Sequence, residues 1–341
     1  MKKSSQLITG ICASAGMLAL ILDSKTALSG ASDGVALCVL SVIPALFPFF
    51  FLSALLMGSV LGTEISLLRP VGKLCGIPKG SESILLTGLL GGYPIGAQCI
   101  CQCYTEGRIT KADANRMLAF CSNAGPAFLF GMTGSLFENK SVPFLLWAIH
   151  ILSALTVGAL LPGKSTHAVQ SVSRKPAQTG QAIQSALRAM SNVCGWVIIF
   201  RIVLSFAKRW FLWLLPPEGQ VLITGLLELT NGYVDLIHLE SEGLRFILAS
   251  AFLAFGGVCV MLQTLSAIAP AGLDLGSYVS GKLMQTLIST LTAALFSGFL
   301  FPEGPKIDGR FIPVAAFCVL MGVFVLKLKK KSSSILRSSG V

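Results

Sequence analysis

Residues 84–103 read ILLTGLLGGYPIGAQCICQC. The stretch is nearly long enough to cross a bilayer and carries no charged residue, yet its centre holds Gly91-Gly92-Tyr93-Pro94, followed by Gly96 and Gln98. A glycine costs about 1 kcal/mol in a helix interior and a proline about 3. A straight span gains nothing from that interruption. Whether the segment crosses the membrane or enters and returns decides the fold.

The surrounding chain is built for lipid. Of its 341 residues, 53% are hydrophobic and 12% charged, and the mean hydropathy is +0.77. Soluble domains carry about 25% charge. Apolar runs of spanning length recur from end to end, at roughly 7–23, 35–60, 114–134, 143–161, 190–214, 244–265, 283–301 and 311–328. Two further apolar segments, 83–104 and 219–237, are interrupted. The sequence is that of an all-α polytopic membrane protein. Met1-Lys2-Lys3 ahead of the apolar run Leu7–Leu22 resembles a signal peptide, but the series of spans that follows favours a retained first helix.

Charge tests the span count. The net charge is +11, yet the basic residues sit in short connections and at the two ends. That distribution fits the positive-inside bias and gives no continuous patch for nucleic acid. Lys2 and Lys3, then Arg69, Lys73 and Lys79, then Arg108, Lys111 and Arg116 form successive basic groups. Lys164, Arg174, Lys175 and Arg188, and the tail with Lys327, Lys329, Lys330, Lys331 and Arg337, complete the set. A full crossing by 83–104 would put two basic groups on opposite sides. A re-entrant hairpin removes the conflict, and the same device serves 219–237. The expectation is therefore eight transmembrane helices, two re-entrant hairpins and both termini cytoplasmic. The weak point is the connection 266–280, whose only charge is Asp274.

The two interrupted segments resemble each other: ILLTGLL at 84–90 and VLITGLL at 221–227. Each is followed by a span with small or polar residues at its middle. Because the first hairpin would enter from inside and the second from outside, the expectation is an inverted-topology repeat, a common transporter plan. The resulting divisions are an N-terminal helix (1–34), a first repeat (35–161), a cytoplasmic connection (162–189), a second repeat (190–301), a C-terminal helix (302–328) and a basic tail (329–341).

Helix breaks release backbone amides and carbonyls that lipid cannot satisfy, so they must face protein, water or ligand. Gly91, Gly92 and Gly96 allow unusual backbone angles or close helix approach, Pro94 removes a donor, and Gln98 both donates and accepts. A packed kink explains the glycines as well as a binding tip does. Asn123, in Ser122-Asn123-Ala124-Gly125-Pro126, either contacts a ligand or bonds the carbonyl that Pro126 frees. Glu228 is a carboxylate among Leu227, Leu229 and Thr230, with Asn231 beside it; intramembrane ionisable groups usually belong to a pathway. It suits a polar solute, a cation or a coupled proton, and its structural alternative is a pair with Arg201. Gln263 is a weaker candidate, Asp235 reads as a surface marker, and Glu82 as an interfacial cap. Lys282 and Asp274 look isolated.

Ten cysteines are present, mostly within apolar runs, where a free thiol behaves as a small hydrophobe. Cys99, Cys101 and Cys103 have neither zinc-site spacing nor a nearby histidine, so packing is expected, with no resident metal or cofactor. No Ser-His-Asp, H-E-x-x-H or paired-carboxylate arrangement is evident, and no enzymatic activity is expected.

GLLGGYPIGAQ (88–98), FCSNAGPAFLFG (120–131) and TGLLELTNG (224–232) resemble the YlbJ-type sporulation integral membrane proteins and the wider nucleoside-recognition, or gate-domain, superfamily. The resemblance implies a role in endospore formation, in a forespore or mother-cell membrane. It also implies similarity to concentrative nucleoside transporters, whose hairpin tips bind solute and a coupling ion. By position, Gly92, Tyr93, Pro94 and Gln98 would serve in the first hairpin, Asn123 on the first broken span, and Glu228, Thr230 and Asn231 in the second hairpin. The implied function is transport of a small polar solute, nucleoside-like, coupled to H+ or Na+. The alternative is a non-transporting scaffold that binds lipid or a partner in spore-envelope assembly. Membrane lipid, a second copy of the chain and other sporulation membrane proteins are the partners this reading admits.

Overall fold

A computed structural model describes residues 2–60, 64–161, 163 and 179–301. All regular structure among them is helical. Helix α1 spans Lys2–Leu22 and α2 Ser24–Leu37; Asp23 caps α2 by accepting from the Thr26 amide at 3.3 Å. A π-helical turn, Cys38–Val42, joins α2 to α3 (Ile43–Val60), giving one apolar rod from Ser24 to Ser59. A short α4 (Arg69–Leu74) precedes the first interrupted segment. That segment is a helical hairpin: α5 (Glu82–Leu90), a tip at 91–94, and α6 (Ile95–Thr105).

The span expected over 114–134 is two short helices, α7 (Lys111–Leu118) and α8 (Pro126–Thr133). Pro126 cannot donate to the preceding turn and pushes Gly125 into extended backbone, φ −81° and ψ 159°. Next come α9 (Val142–Leu160) and α10 (Thr179–Trp210), which begins well before the expected boundary at 190. The second hairpin is α11 (Pro217–Leu227) and α12 (Leu229–Asp235), broken at Glu228. Helices α13 (Glu242–Phe255) and α14 (Gly257–Ile268) are parted by Gly256-Gly257 at φ +79° and +82°. Finally α15 spans Leu275–Leu300, so the expected connection 266–280 shrinks to a few residues and Lys282 falls inside the last described span.

Five helices among the described residues are long and apolar enough to cross a membrane: Ser24–Ser59, Val142–Leu160, Thr179–Trp210, Glu242–Ala271 and Leu275–Leu300. Of the other three expected spans, the first falls within the 21-residue helix α1, whose stretch Ala13–Leu22 is apolar, the one over 114–134 is broken, and the one over 311–328 lies outside the described residues, as do the 329–341 tail and most of the 162–178 connection.

Helix α10 lies along α2 and α3, and α15 along α9 and α13. The repeated arms have the same local design. Thr87 donates to the Ser83 carbonyl at 2.9 Å, and Thr224 to the Gln220 carbonyl at 2.9 Å, so each hydroxyl is satisfied within its own helix. The glycine that follows lets a neighbour press against the arm. A Cβ on Gly88 would lie 1.9 Å from the Cys121 carbonyl oxygen, and one on Gly225 would lie 2.2 Å from the Phe252 ring. A Cβ on Gly96, on the return arm, would lie 2.2 Å from the same Cys121 oxygen, so close packing accounts for this glycine.

Two basic residues from the charge count are spent on structure. Arg69 pairs with Glu82 at 2.6 Å and reaches the Ile77 carbonyl at 3.3 Å; Arg116 donates to the carbonyls of Cys75 and Gly76. Glu82 is fully buried in this pairing and also accepts from the Gly80 amide, so it anchors the first hairpin.

Candidate functional site

Both hairpin tips and both helix breaks converge. At the first tip Gly92 takes φ +79°, a left-handed conformation open to glycine, and stacks against Gly125, whose amide nitrogen a Cβ would approach to 3.1 Å. The Tyr93–Pro94 peptide is cis. At the second tip the Leu227 carbonyl and Glu228 amide abut Gly257, within 3.1–3.3 Å of where its Cβ would stand. Tyr93 crosses between the halves, its hydroxyl donating to the Leu253 carbonyl at 3.3 Å. Between the tips is a small cavity of ≈ 40 Å³. Gly91, Gly92 and Tyr93 line it from the first tip, Gly125 from the broken span, and Glu228 and Thr230 from the second tip. Leu46, Phe50, Val193 and Val197 give it an apolar wall.

Glu228 is buried and caps α12. Its carboxylate accepts from the amides of Thr230 at 3.0 Å and Asn231 at 2.7 Å, and from the Asn231 side chain at 2.7 Å. Arg201 does not pair with it. The guanidinium donates to Asn231 Oδ1 at 2.8 Å and faces Asp33 at 3.5 Å, so Asn231 stands between the arginine and the carboxylate. An asparagine can do this because it donates through one atom and accepts through the other.

Asn123 belongs to a second buried network behind the first tip. Its Nδ2 donates to the Phe120 carbonyl at 2.7 Å, and its Oδ1 accepts from Lys282 and from Gln285, both at 3.1 Å. The Ala124 amide, freed by the break, donates to His150 Nε2 at 3.2 Å. The Lys282 ammonium also contacts Gln285 Oε1 at 2.6 Å and lies over the Tyr93 ring, 5.2 Å from its centroid.

Of the sequence-derived candidates, Gly92, Tyr93, Glu228 and Thr230 meet at the cavity, while Asn123 and Asn231 support it from behind. Pro94 is buried at the tip and Gln98 is half-exposed on α6; neither lines the cavity. Sequence reasoning undervalues three residues. Gln263 lines the cavity, and Lys282 and Gln285 bind Asn123. The available signal is spacing: Lys282 and Gln285 are three apart, on one face of a helix. Asp235 is buried too, held by Lys208 at 2.7 Å. Asp274 caps α15 at the surface, where the amides of Gly276 and Ser277 hold its carboxyl below the usual range. Cys99 and Cys103 are buried, and Cys101 is half-buried. Among the described residues no group of three or more His, Cys, Asp or Glu is placed to hold a metal ion.

No family model matches the chain, and no solved structure matches it. The chain is similar to a sporulation integral membrane protein, YlbJ, of Bacillus subtilis. The two are 24% identical over 324 residues, covering 81% of this chain and 79% of that protein. The likeness supports the YlbJ-type family. An integral membrane relative and five long apolar helices together support a multi-pass membrane protein.

Proposed function

We propose that this chain is a sporulation-associated membrane transporter of a small polar solute, nucleoside-like in class, working by alternating access coupled to H+ or Na+. The observation that carries the proposal is the meeting of two hairpin tips and a broken span at one buried cavity with a carboxylate on its wall. Sites of this kind arise where helices stop inside the membrane and their ends become available to a ligand. The matching threonine bonds and close-packed glycines of α5 and α11 support descent of the two hairpins from one repeated unit, 35–161 against 190–301. On this reading both termini are cytoplasmic, and the membrane is that of the forespore or the mother cell.

The cavity is too small for a nucleoside. A water needs about 10–15 Å³ of such space, so ≈ 40 Å³ admits a few waters or an ion. On the transport reading this is the closed state, and the tips separate to admit solute. A second reading draws on the same fact. A small cavity, with Glu228, Asn231 and Asn123 bonded within the protein, also suits a non-transporting scaffold for lipid or a partner in spore-envelope assembly.

Reconstitution into liposomes separates the two. Uptake of labelled uridine or adenosine is measured under an imposed proton gradient and, separately, a Na+ gradient. The transport reading expects gradient-driven accumulation that Glu228→Gln abolishes. Flux no greater than in empty liposomes, for nucleosides and other small polar solutes alike, favours the scaffold. Full coupled flux in E228Q removes Glu228 from the coupling.

A further inference from the structure

Lys282 is fully buried on α15, and among the described residues no carboxylate pairs with it. Its Nζ is 2.6 Å from Gln285 Oε1 and 3.1 Å from Asn123 Oδ1. Two aromatic faces complete its surroundings, Tyr93 at 5.2 Å and Tyr278 at 5.8 Å from the ring centroids. Cys121 and His150 are the other titratable groups in the neighbourhood, and the His150 Nε2 is occupied by the Ala124 amide.

The two amides are locked with their oxygens toward the ammonium. Asn123 Nδ2 is tied to the Phe120 carbonyl at 2.7 Å, and Gln285 Nε2 donates to Asn123 Oδ1 at 3.1 Å and to the His150 carbonyl at 3.2 Å. Turning either amide over would break those bonds and present N–H groups to a cation. Amide oxygens and aromatic faces are the ligands by which proteins hold an unpaired monovalent cation. Burying a charge is costly, and an apolar side chain of similar volume usually serves packing as well or better. The lysine is therefore there for its charge, at a place where an unwound span supplies one oxygen and the first tip supplies a ring.

We propose that this cage is a monovalent-cation site which the chain fills with its own ammonium: Lys282 is a tethered cation at the junction of the first tip and the broken span. With the side chain removed, the cage would take Na+, K+, ammonium or methylammonium. The site stands on its own geometry. Its bearing on coupling rests on the transport reading: a built-in cation beside Tyr93 removes the need for Na+ at that point.

Lys282→Ala opens the cage, and Lys282→Met refills it with an uncharged chain of similar length. Thermal unfolding in detergent is followed at constant ionic strength. The expected result is a gain of several degrees in Tm for K282A in ammonium, methylammonium, Na+ or K+ chloride over choline chloride, with none for the wild type or K282M. No gain over choline, or the same gain in the wild type or K282M, overturns the proposal. Should K282A not fold, a double-mutant cycle decides it. Gln285→Met should lower the Tm clearly more in the wild type than in K282M, and equal losses overturn the proposal. Replacing Na+ by choline in the uptake assay reads the consequence for coupling. Liposomes that transport nothing count against the transport reading and leave the cation site to the unfolding data.

Discussion

Thr87-Gly88 in α5 and Thr224-Gly225 in α11 make matching bonds, yet their two hairpins are embedded differently. Glu82, Ser83, Ile84, Leu85, Thr87 and Gly88 of the first arm are buried. In the second arm only Val221, Thr224 and Gly225 are buried, and Leu222 and Leu226 are 41% and 38% exposed. The tips differ as well. The first is uncharged, and the freed groups of the adjoining break are satisfied by neighbours: His150 accepts from the Ala124 amide, and Asn123 bonds the Phe120 carbonyl. The second tip satisfies itself, because Glu228 caps the helix it starts. A break inside a membrane has to have its backbone partners supplied from somewhere. The first hairpin is encased by its neighbours, and at the break beside it the Ala124 amide finds its acceptor on α9. The other carries its own partner and can leave one face to lipid.

The encased hairpin should be the less forgiving of the two. In Gly88→Ala the new methyl meets a backbone oxygen at 1.9 Å that has no rotamer to change, and a loss of about 3 kcal/mol or more is expected. In Gly225→Ala the obstacle is the Phe252 ring, which can shift, and about 1–3 kcal/mol is expected. Folded yield and Tm in detergent measure both. If G225A proves the worse variant, the contrast in embedding is wrong.

The self-capped tip should depend most on its carboxylate. Glu228→Ala leaves the amides of Thr230 and Asn231 buried without acceptors, at about 2–3 kcal/mol. Glu228→Gln keeps one oxygen and should cost about 1 kcal/mol. At the first tip Tyr93→Phe removes a single 3.3 Å bond to the Leu253 carbonyl, and about 0.5–1.5 kcal/mol is expected. Chemical or thermal unfolding that ranks Y93F with E228A would show that the tips are held in the same way after all.

The hairpins are legible in the sequence because backbone breaks need particular residues. Glycine and proline at 91–96 and Pro126 mark where a helix cannot continue, and the repeated ILLTGLL pattern ties one break to the other. Glu228 stands out because a carboxylate in an apolar run is costly to bury and needs partners to stay there. Its partner is not legible. Arg201 is the natural choice, yet it reaches Asn231, because capping geometry turns the carboxylate toward its own helix. Lys282 escapes sequence reasoning in a different way. Ser277, Ser280 and Lys282 make the start of α15 look like a loop, so the expected span begins at 283. Its ligand Asn123 lies 159 residues earlier, a contact no local pattern announces.

Asp274 offers the mildest version of the comparison. It caps α15 as Glu228 caps α12, accepting from two successive amides, at 3.0 Å from Gly276 and 3.1 Å from Ser277, but it is exposed. Water can replace the carboxylate there, so Asp274→Ala should cost only about 1 kcal/mol. The two amides favour the charged form and hold the folded-state carboxyl below its ordinary value. Its contribution is therefore fully present above the unfolded-state value of about 4 and is lost as the pH falls through the lower, folded-state value. The Tm gap between the wild type and D274A should be constant from neutral pH down to that range and close below it. A gap that persists in strong acid would mean that the protonated carboxyl still holds Gly276 and Ser277, and that Asp274 acts through its hydrogen bonds and not through its charge.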